Sequence, residues 1–205
     1  MKIYYLLNKQ TSSLNGLVFN GLVTMDIGFK SYGITLVNPN GDFKTIDLKP
    51  FDDSIKLAKL GIPEYVLLSS RVSEILLSMV QKNPKLKNYI WSMEIPNIMG
   101  SFSTALSILL TSVTLSLLNI GIPAITFTGN RLGGFYLKKR SYTKTEIKNL
   151  VKESFGITYK ISDHECDSLL AAYSIYLGVF GKNLKGVQLR PFELELQDIT
   201  YRAKK

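Results

Sequence analysis

Cysteine occurs once in the 205 residues, at Cys166. No intramolecular disulfide can form, and no cysteine-based zinc centre can be assembled. A reducing compartment fits this usage, and the cytoplasm is the expected location. Histidine also occurs once, at His164. Acidic residues are scarce, 16 against 25 lysines and arginines, which leaves a net charge of +9. A balance this basic in a folded chain points to an anionic partner, nucleic acid or acidic lipid. Between Ile95 and Asn130 charge is missing altogether. That run is long enough to cross a bilayer. However, Pro96, Asn97, Gly100, Asn119, Gly121 and Pro123 interrupt it, and serine and threonine dilute it. A buried helix followed by a buried strand is expected there, and no membrane association. The opening Met1–Lys9 holds too short an apolar run for a secretory signal.

What is present is enough for a core: 45% of residues are hydrophobic, and the length suits one compact domain. The expected organisation is an extension over residues 1–16, a domain over 17–181 and a basic-ended tail over 182–205. Repeats, low-complexity runs and linkers are lacking.

Leu22-Val23-Thr24-Met25 reads as a buried strand ending at Asp26. Tyr32 to Val37 and Phe43 to Leu48 follow as strands about the turn Asn38-Pro39-Asn40-Gly41. Residues 64–82 are expected to be helical, with Leu68, Val72, Ile75, Leu76 and Met79 on one side. Tyr89 to Met93 forms a strand leading into Glu94, residues 101–119 a helix, and Pro123 to Phe127 another strand. Thr143-Lys144-Thr145-Glu146 and Ser162-Asp163-His164-Glu165 both have the form of a capping box opening a helix. A meander followed by alternating helices and strands predicts an α/β fold, a mixed five-stranded sheet flanked by helices.

Two of the apolar strands end in a single carboxylate, Asp26 and Glu94. A half-buried carboxylate needs a partner, and a hard divalent cation is a suitable one. Asp163, His164 and Asp167 open the last helix, and His164 and Asp167, three apart, share a face. Singly, each is also explained as a surface strand end, a helix cap or a first-turn acid. Together they make a two-metal site with ions ~4 Å apart, suited to phosphodiester chemistry. Beside it in sequence lies a basic segment with Lys138, Lys139, Arg140, Lys144, Lys148 and Lys152. The last three recur every four residues and form one stripe.

Asp26-Ile27-Gly28 with Gly33 resembles the first catalytic strand of the RuvC-like Holliday junction resolvases, of the ribonuclease-H-like superfamily. Glu94 resembles their second acid. Phe127 to Val151 is similar to their loop and following helix, with Lys144 at a DNA-contacting lysine. His164-Glu165-Cys166-Asp167-Ser168-Leu169-Leu170-Ala171 resembles their closing helix with the last two metal ligands. The resemblance spans Leu22 to Leu177. It implies a ribonuclease-H-like fold, Mg²⁺ or Mn²⁺ with two ions per site, a homodimer, and paired nicks in four-way DNA junctions. Asp26, Glu94, His164 and Asp167 would be the catalytic metal ligands. A divergent viral or mobile-element relative is expected.

The chain departs from the family in carrying Ile95 and Asn97 where a glutamine and an aromatic often follow the second acid, with Phe102 a substitute. Lys138-Lys139-Arg140 replaces a glycine-bearing loop. Three competing readings stand beside this one. A nucleotide-binding domain of the actin and hexokinase type would share Asp26-Ile27-Gly28, but needs two such domains. A nucleic-acid binder could keep the fold without cleaving, or the nuclease could favour flaps or RNA–DNA hybrids. A basic membrane-associated protein could use the uncharged segment. For the dimer, the expected contact is the helix around 103–118. Leu106, Leu109, Leu110, Val113 and Leu117 would face the sheet, while Thr104, Ser107, Thr111, Thr114 and Leu118 would face outward.

Overall fold

The fold is taken from a computed structural model describing residues 20–28, 31–49, 64–94, 101–122, 124–127, 132–187, 189 and 196–198; for 64, 65, 68, 101–107, 179 and 196–198 only the backbone is described. The leader 1–16 and the side chain of Phe102 lie outside these, as do Ile95 and Asn97.

Strands β1 (Gly21–Ile27), β2 (Tyr32–Val37) and β3 (Phe43–Leu48) form the expected antiparallel meander. Helix α1 (Glu64–Lys82) and a 3₁₀ turn (Pro84–Asn88) lead to β4 (Tyr89–Glu94). Helix α2 (Ser101–Asn119) precedes β5 (Ala124–Phe127), and α3 (Leu132–Leu137), α4 (Lys144–Phe155) and α5 (Asp163–Phe180) follow. A short strand β6 (Leu196–Asp198) from the expected tail pairs antiparallel with β5. The sheet order is β3-β2-β1-β4-β5-β6, with β1, β4 and β5 parallel. All five expected strands form, and β6 widens the sheet by one.

Strand alternation sorts the side chains into two cores. Val23, Met25, Ile34, Trp91 and Met93 face α1 and α2, where Val72, Leu76, Leu109, Val113 and Leu117 cover them. Leu22, Val37, Ile90, Ile125 and Phe127 face α3, α4 and α5. Both faces are covered, which is why β1 and β4 read as nearly continuous apolar runs. Among the described residues, no helix is long and apolar enough to cross a membrane.

Helix α5 is the element closest to the sheet. It starts at the expected capping box: Ser162 Oγ accepts from the Glu165 amide at 3.1 Å, and Glu165 Oε2 accepts from the Ser162 amide at 2.8 Å. The helix is buried from Leu169 to Tyr176. Small residues permit its close approach. Ser168 Oγ lies 2.8 Å from Thr35 Oγ1, within a polar row that also joins Thr35 to Thr45 and Ser92 to Thr24. Past α5, Leu184 and Val187 of the expected tail are buried against this core. Helix α4 opens at the other expected capping box, on Thr143 and Glu146, and closes on Gly156 at φ 65°.

Outside the sheet-facing stripe of α2 the structure differs from expectation. Thr114 is buried, its hydroxyl donating to the Leu110 carbonyl at 2.7 Å. The open face carries Thr111, as expected, together with Ile108 and Leu115, and Leu115 is 53% exposed. On the 3.6-residue period Thr114 follows Val113 toward the interior.

Candidate metal centre

The cross-strand register assembles the site. Asp26 pairs with Gly33, and Gly33 with Asp47. Met25 pairs with Met93 in the parallel β1–β4 ladder, so Asp26 and Glu94 stand at the next level, with Phe127 opposite Glu94 on β5. Paired residues share a sheet face. One row across the α5 face therefore runs Asp47, Gly33, Asp26, Glu94, Phe127. Asp26 and Glu94 sit at the carboxyl ends of parallel strands, the usual place for a ligand crevice in an open α/β sheet.

The first turn of α5 lies on this row. Gly33 makes room for it: a Cβ there would stand 1.9 Å from the His164 carbonyl oxygen. Gly28 makes room for the imidazole, since a Cβ there would come within 2.6 Å of His164 Cε1 and Nε2. His164 Nδ1 meets Asp26 Oδ2 at 2.6 Å, with the Asp26 side chain only 14% exposed. The hydrogen bond to Asp26 raises the His164 pKa above its ordinary value, against the opposing effect of burial.

One turn on, burial and then the charge of Asp26 push the Asp167 carboxyl up to about 7. The intervening residues have other uses. Glu165 is consumed by the capping box, and the buried Cys166 thiol is pushed up to about 12, chiefly by burial.

Asp163 is turned elsewhere. Its Oδ2 accepts from Lys144 Nζ at 2.5 Å, and its Oδ1 forms an ion pair with Lys148 Nζ at 2.6 Å. Burial would raise its pKa, but the two ammonium groups hold it below the ordinary carboxylate value. Two lysines of the expected DNA-contacting stripe thus tie α4 to the start of α5. Lys144 remains 81% exposed, so this surface pairing leaves it reachable. Lys139 pairs with Glu146, while Lys138 and Arg140 are exposed and Lys152 half-buried.

The structure thus brings Asp26, Glu94, His164 and Asp167 to one end of the sheet. It adds two residues that the sequence reading did not single out. Asp47 projects from the same row, its charge reaches His164, and its buried Oδ1 has no hydrogen-bond partner. The signal was alternation: Thr45 and Asp47 occupy the face opposite Ile46 and Leu48. The other is Tyr142, whose phenol feels the charges of Asp167 and Glu94.

These donors fit a hard divalent cation in kind and in charge. Carboxylate oxygens predominate, and burial, then the Asp26 charge, disfavour ionised Asp167, a cost that a bound cation would relieve. Among the described residues no three donors converge on one point, and Asp26 is turned to His164. Loading a cation would require the Asp26–His164 contact to open.

No protein-family model matches the sequence, and no curated protein matches it. Solved structures do resemble the fold. Thermus thermophilus RuvC in complex with Holliday junction substrate superposes with a TM-score of 0.53 at 13% identity, over 83% of this chain and 99% of that one. Another Thermus thermophilus RuvC structure gives 0.49 at 15% identity, over 80% and 98%. The architecture is the RuvC type of ribonuclease-H-like fold, a mixed sheet flanked by helices.

Proposed function

We propose that the chain is a metal-dependent endodeoxyribonuclease that resolves four-way DNA junctions by paired nicks. One observation carries the reading. Asp26 and Glu94 end adjacent parallel strands on one sheet face, and α5 delivers His164 and Asp167 to the same end. The likeness in fold to a RuvC structure described with a junction substrate supports it.

In this reading Asp26, Glu94, His164 and Asp167 hold Mg²⁺ or Mn²⁺, two ions per site. Held there, such ions would lower the pKa of an attacking water and would offset negative charge on the leaving oxygen. Glycines 28 and 33 leave the room that lets His164 reach the carboxylate row. Lys138, Lys139, Arg140, Lys144, Lys148 and Lys152 lie on the loop and helix beside the site and contact phosphates. The expected domain limits of 17–181 are extended in this proposal, because Leu184, Val187 and β6 of the expected tail join the core and the sheet. Two copies act together, because a four-way junction is two-fold symmetric and needs two identical sites.

The test is cleavage of labelled four-way junction, flap, RNA–DNA hybrid and linear duplex side by side, with Mg²⁺ and with EDTA. Symmetric nicks confined to the junction and abolished by EDTA are expected. Asp26→Asn should stop cleavage and leave binding within a few fold, since it touches none of the basic surface. Full activity of Asp26→Asn, or cleavage in EDTA, overturns the proposal.

A further inference from the structure

We propose that Tyr142 is a stacking surface for an unpaired nucleotide of the strand presented to the carboxylate row. The inference rests on the function proposed above and specifies what the substrate must offer.

Tyr142 lies in the loop between α3 and α4 and is 40% exposed. Its neighbour in kind, Tyr136, is buried, with its hydroxyl 2.6 Å from Ser174 Oγ. Tyr142 is therefore an aromatic left at the surface, but not a loose one. Its ring rests on the backbone of α3. A Cβ at Gly133 would lie 2.6 Å from its Cζ and hydroxyl oxygen, and one at Gly134 3.5 Å from Cε1. Any residue larger than glycine at 133 would displace the ring. The ring is thus seated on main chain while part of it stays exposed, an arrangement that orders it before any ligand arrives.

The surroundings give the ligand class. Lys138, Lys139 and Arg140 precede the ring and Lys144 follows it. Burial, and then the charges of Asp167 and Glu94, raise its pKa, so the phenol stays neutral. An ordered, partly exposed aromatic in a basic loop matches a single-stranded nucleic-acid surface, where bases stack on aromatic rings while cations follow the backbone. In continuous duplex both faces of each base are already stacked. A ring at this position gains a partner only where a base is unstacked, as at a branch point. It would then hold the neighbouring phosphate against Asp26, Glu94 and Asp167.

Tryptophan placed at this position makes the contact visible. The native Trp91 is fully buried, its Nε1 donating to the Leu86 carbonyl at 2.9 Å, so its emission does not sense DNA. The Tyr142→Trp protein is titrated in EDTA with a fluorescein-labelled four-way junction for anisotropy, and with unlabelled junction for tryptophan emission. Expected are near-native affinity and emission quenched by half or more with junction, with no quenching by a continuous duplex of equal length. Tyr142→Phe should bind as wild type, and Tyr142→Leu about tenfold or more weakly. A complex seen by anisotropy with unquenched emission, or native affinity in Tyr142→Leu, overturns the inference and leaves the nuclease standing. If Tyr142→Leu fails to fold, the tryptophan variant still decides. Wild-type protein that binds no nucleic acid removes both proposals.

Discussion

Gly33→Ala tests whether the seat of α5 on the sheet builds the site. The added Cβ would stand 1.9 Å from the His164 carbonyl oxygen, 2.1 Å from its carbon and 2.6 Å from the Glu165 amide nitrogen. Comfortable contact is about 3.5 Å, so the first turn of α5 must retreat by roughly 1.5 Å. The obstacle is backbone inside a capping box, not a side chain that can swing away. Overpacking of this kind costs about 1–3 kcal/mol. For a protein of this size the melting temperature should fall by about 3–10 °C. A ligand displaced by about 1 Å costs on the order of a hundredfold in rate. Gly156→Ala is the matched control. Gly156 has φ 65° with no atom near its missing Cβ, so it should cost about 1–2 kcal/mol from backbone strain and little activity. His164 supplies a readout independent of cleavage. As the only histidine, it gives one isolated imidazole signal in a proton NMR titration. Its raised pKa should fall toward the ordinary 6.5 in Gly33→Ala, as the Asp26 contact lengthens, and hold in Gly156→Ala. Native stability, native cleavage and an unmoved His164 titration in Gly33→Ala would refute the reasoning.

Asp167→Asn should stabilise the fold in EDTA while ending cleavage. The Asp167 carboxyl is raised from 3.8 to about 7, so ionising it penalises the folded state. The penalty is absent below the lower value, grows as pH rises toward 7, and stays constant above. At about 1.4 kcal/mol per pH unit its ceiling is about 4 kcal/mol. Partial hydration reduces this to about 2 kcal/mol, or roughly 4–8 °C above pH 7. Thermal scans of both proteins at pH 4, 6 and 8 check it, and a stability difference that does not change with pH rules it out. Adding Mg²⁺ at pH 8 should raise the melting temperature of the wild type more than that of Asp167→Asn. For the lysine stripe, each of Lys144, Lys148 and Lys152 that reaches a phosphate should shallow the log–log salt dependence of binding by about 0.9 when changed to alanine. An unchanged slope in the triple variant assigns the stripe to solvent and to Asp163. Sedimentation at micromolar concentration should show a dimer that Thr111→Arg weakens; a wild-type monomer nicking the two strands independently would end the dimer proposal.

Local pattern determined much of this protein. Apolar runs bounded by turns marked the five main strands. The Thr143 and Ser162 capping boxes marked the starts of α4 and α5 to the residue. Strand-end position and three-residue spacing singled out Asp26, Glu94, His164 and Asp167. These signals have periods of two or about four residues and are complete within a few positions of the chain. Tertiary structure decided what depends on register and on helix docking. Asp47 joins the acidic row only because β3 pairs with β2 so that Asp47 lies opposite Gly33. Lys144 and Lys148 meet Asp163 only because α4 packs beside the start of α5. Leu196–Asp198 becomes a strand because β5 leaves an edge to pair with. Tyr142 reaches the acids from a loop some fifty residues from Glu94 in sequence, seated on a glycine whose value is the space it leaves. Such contacts join positions that no short-range periodicity links, so three-dimensional packing alone decides them.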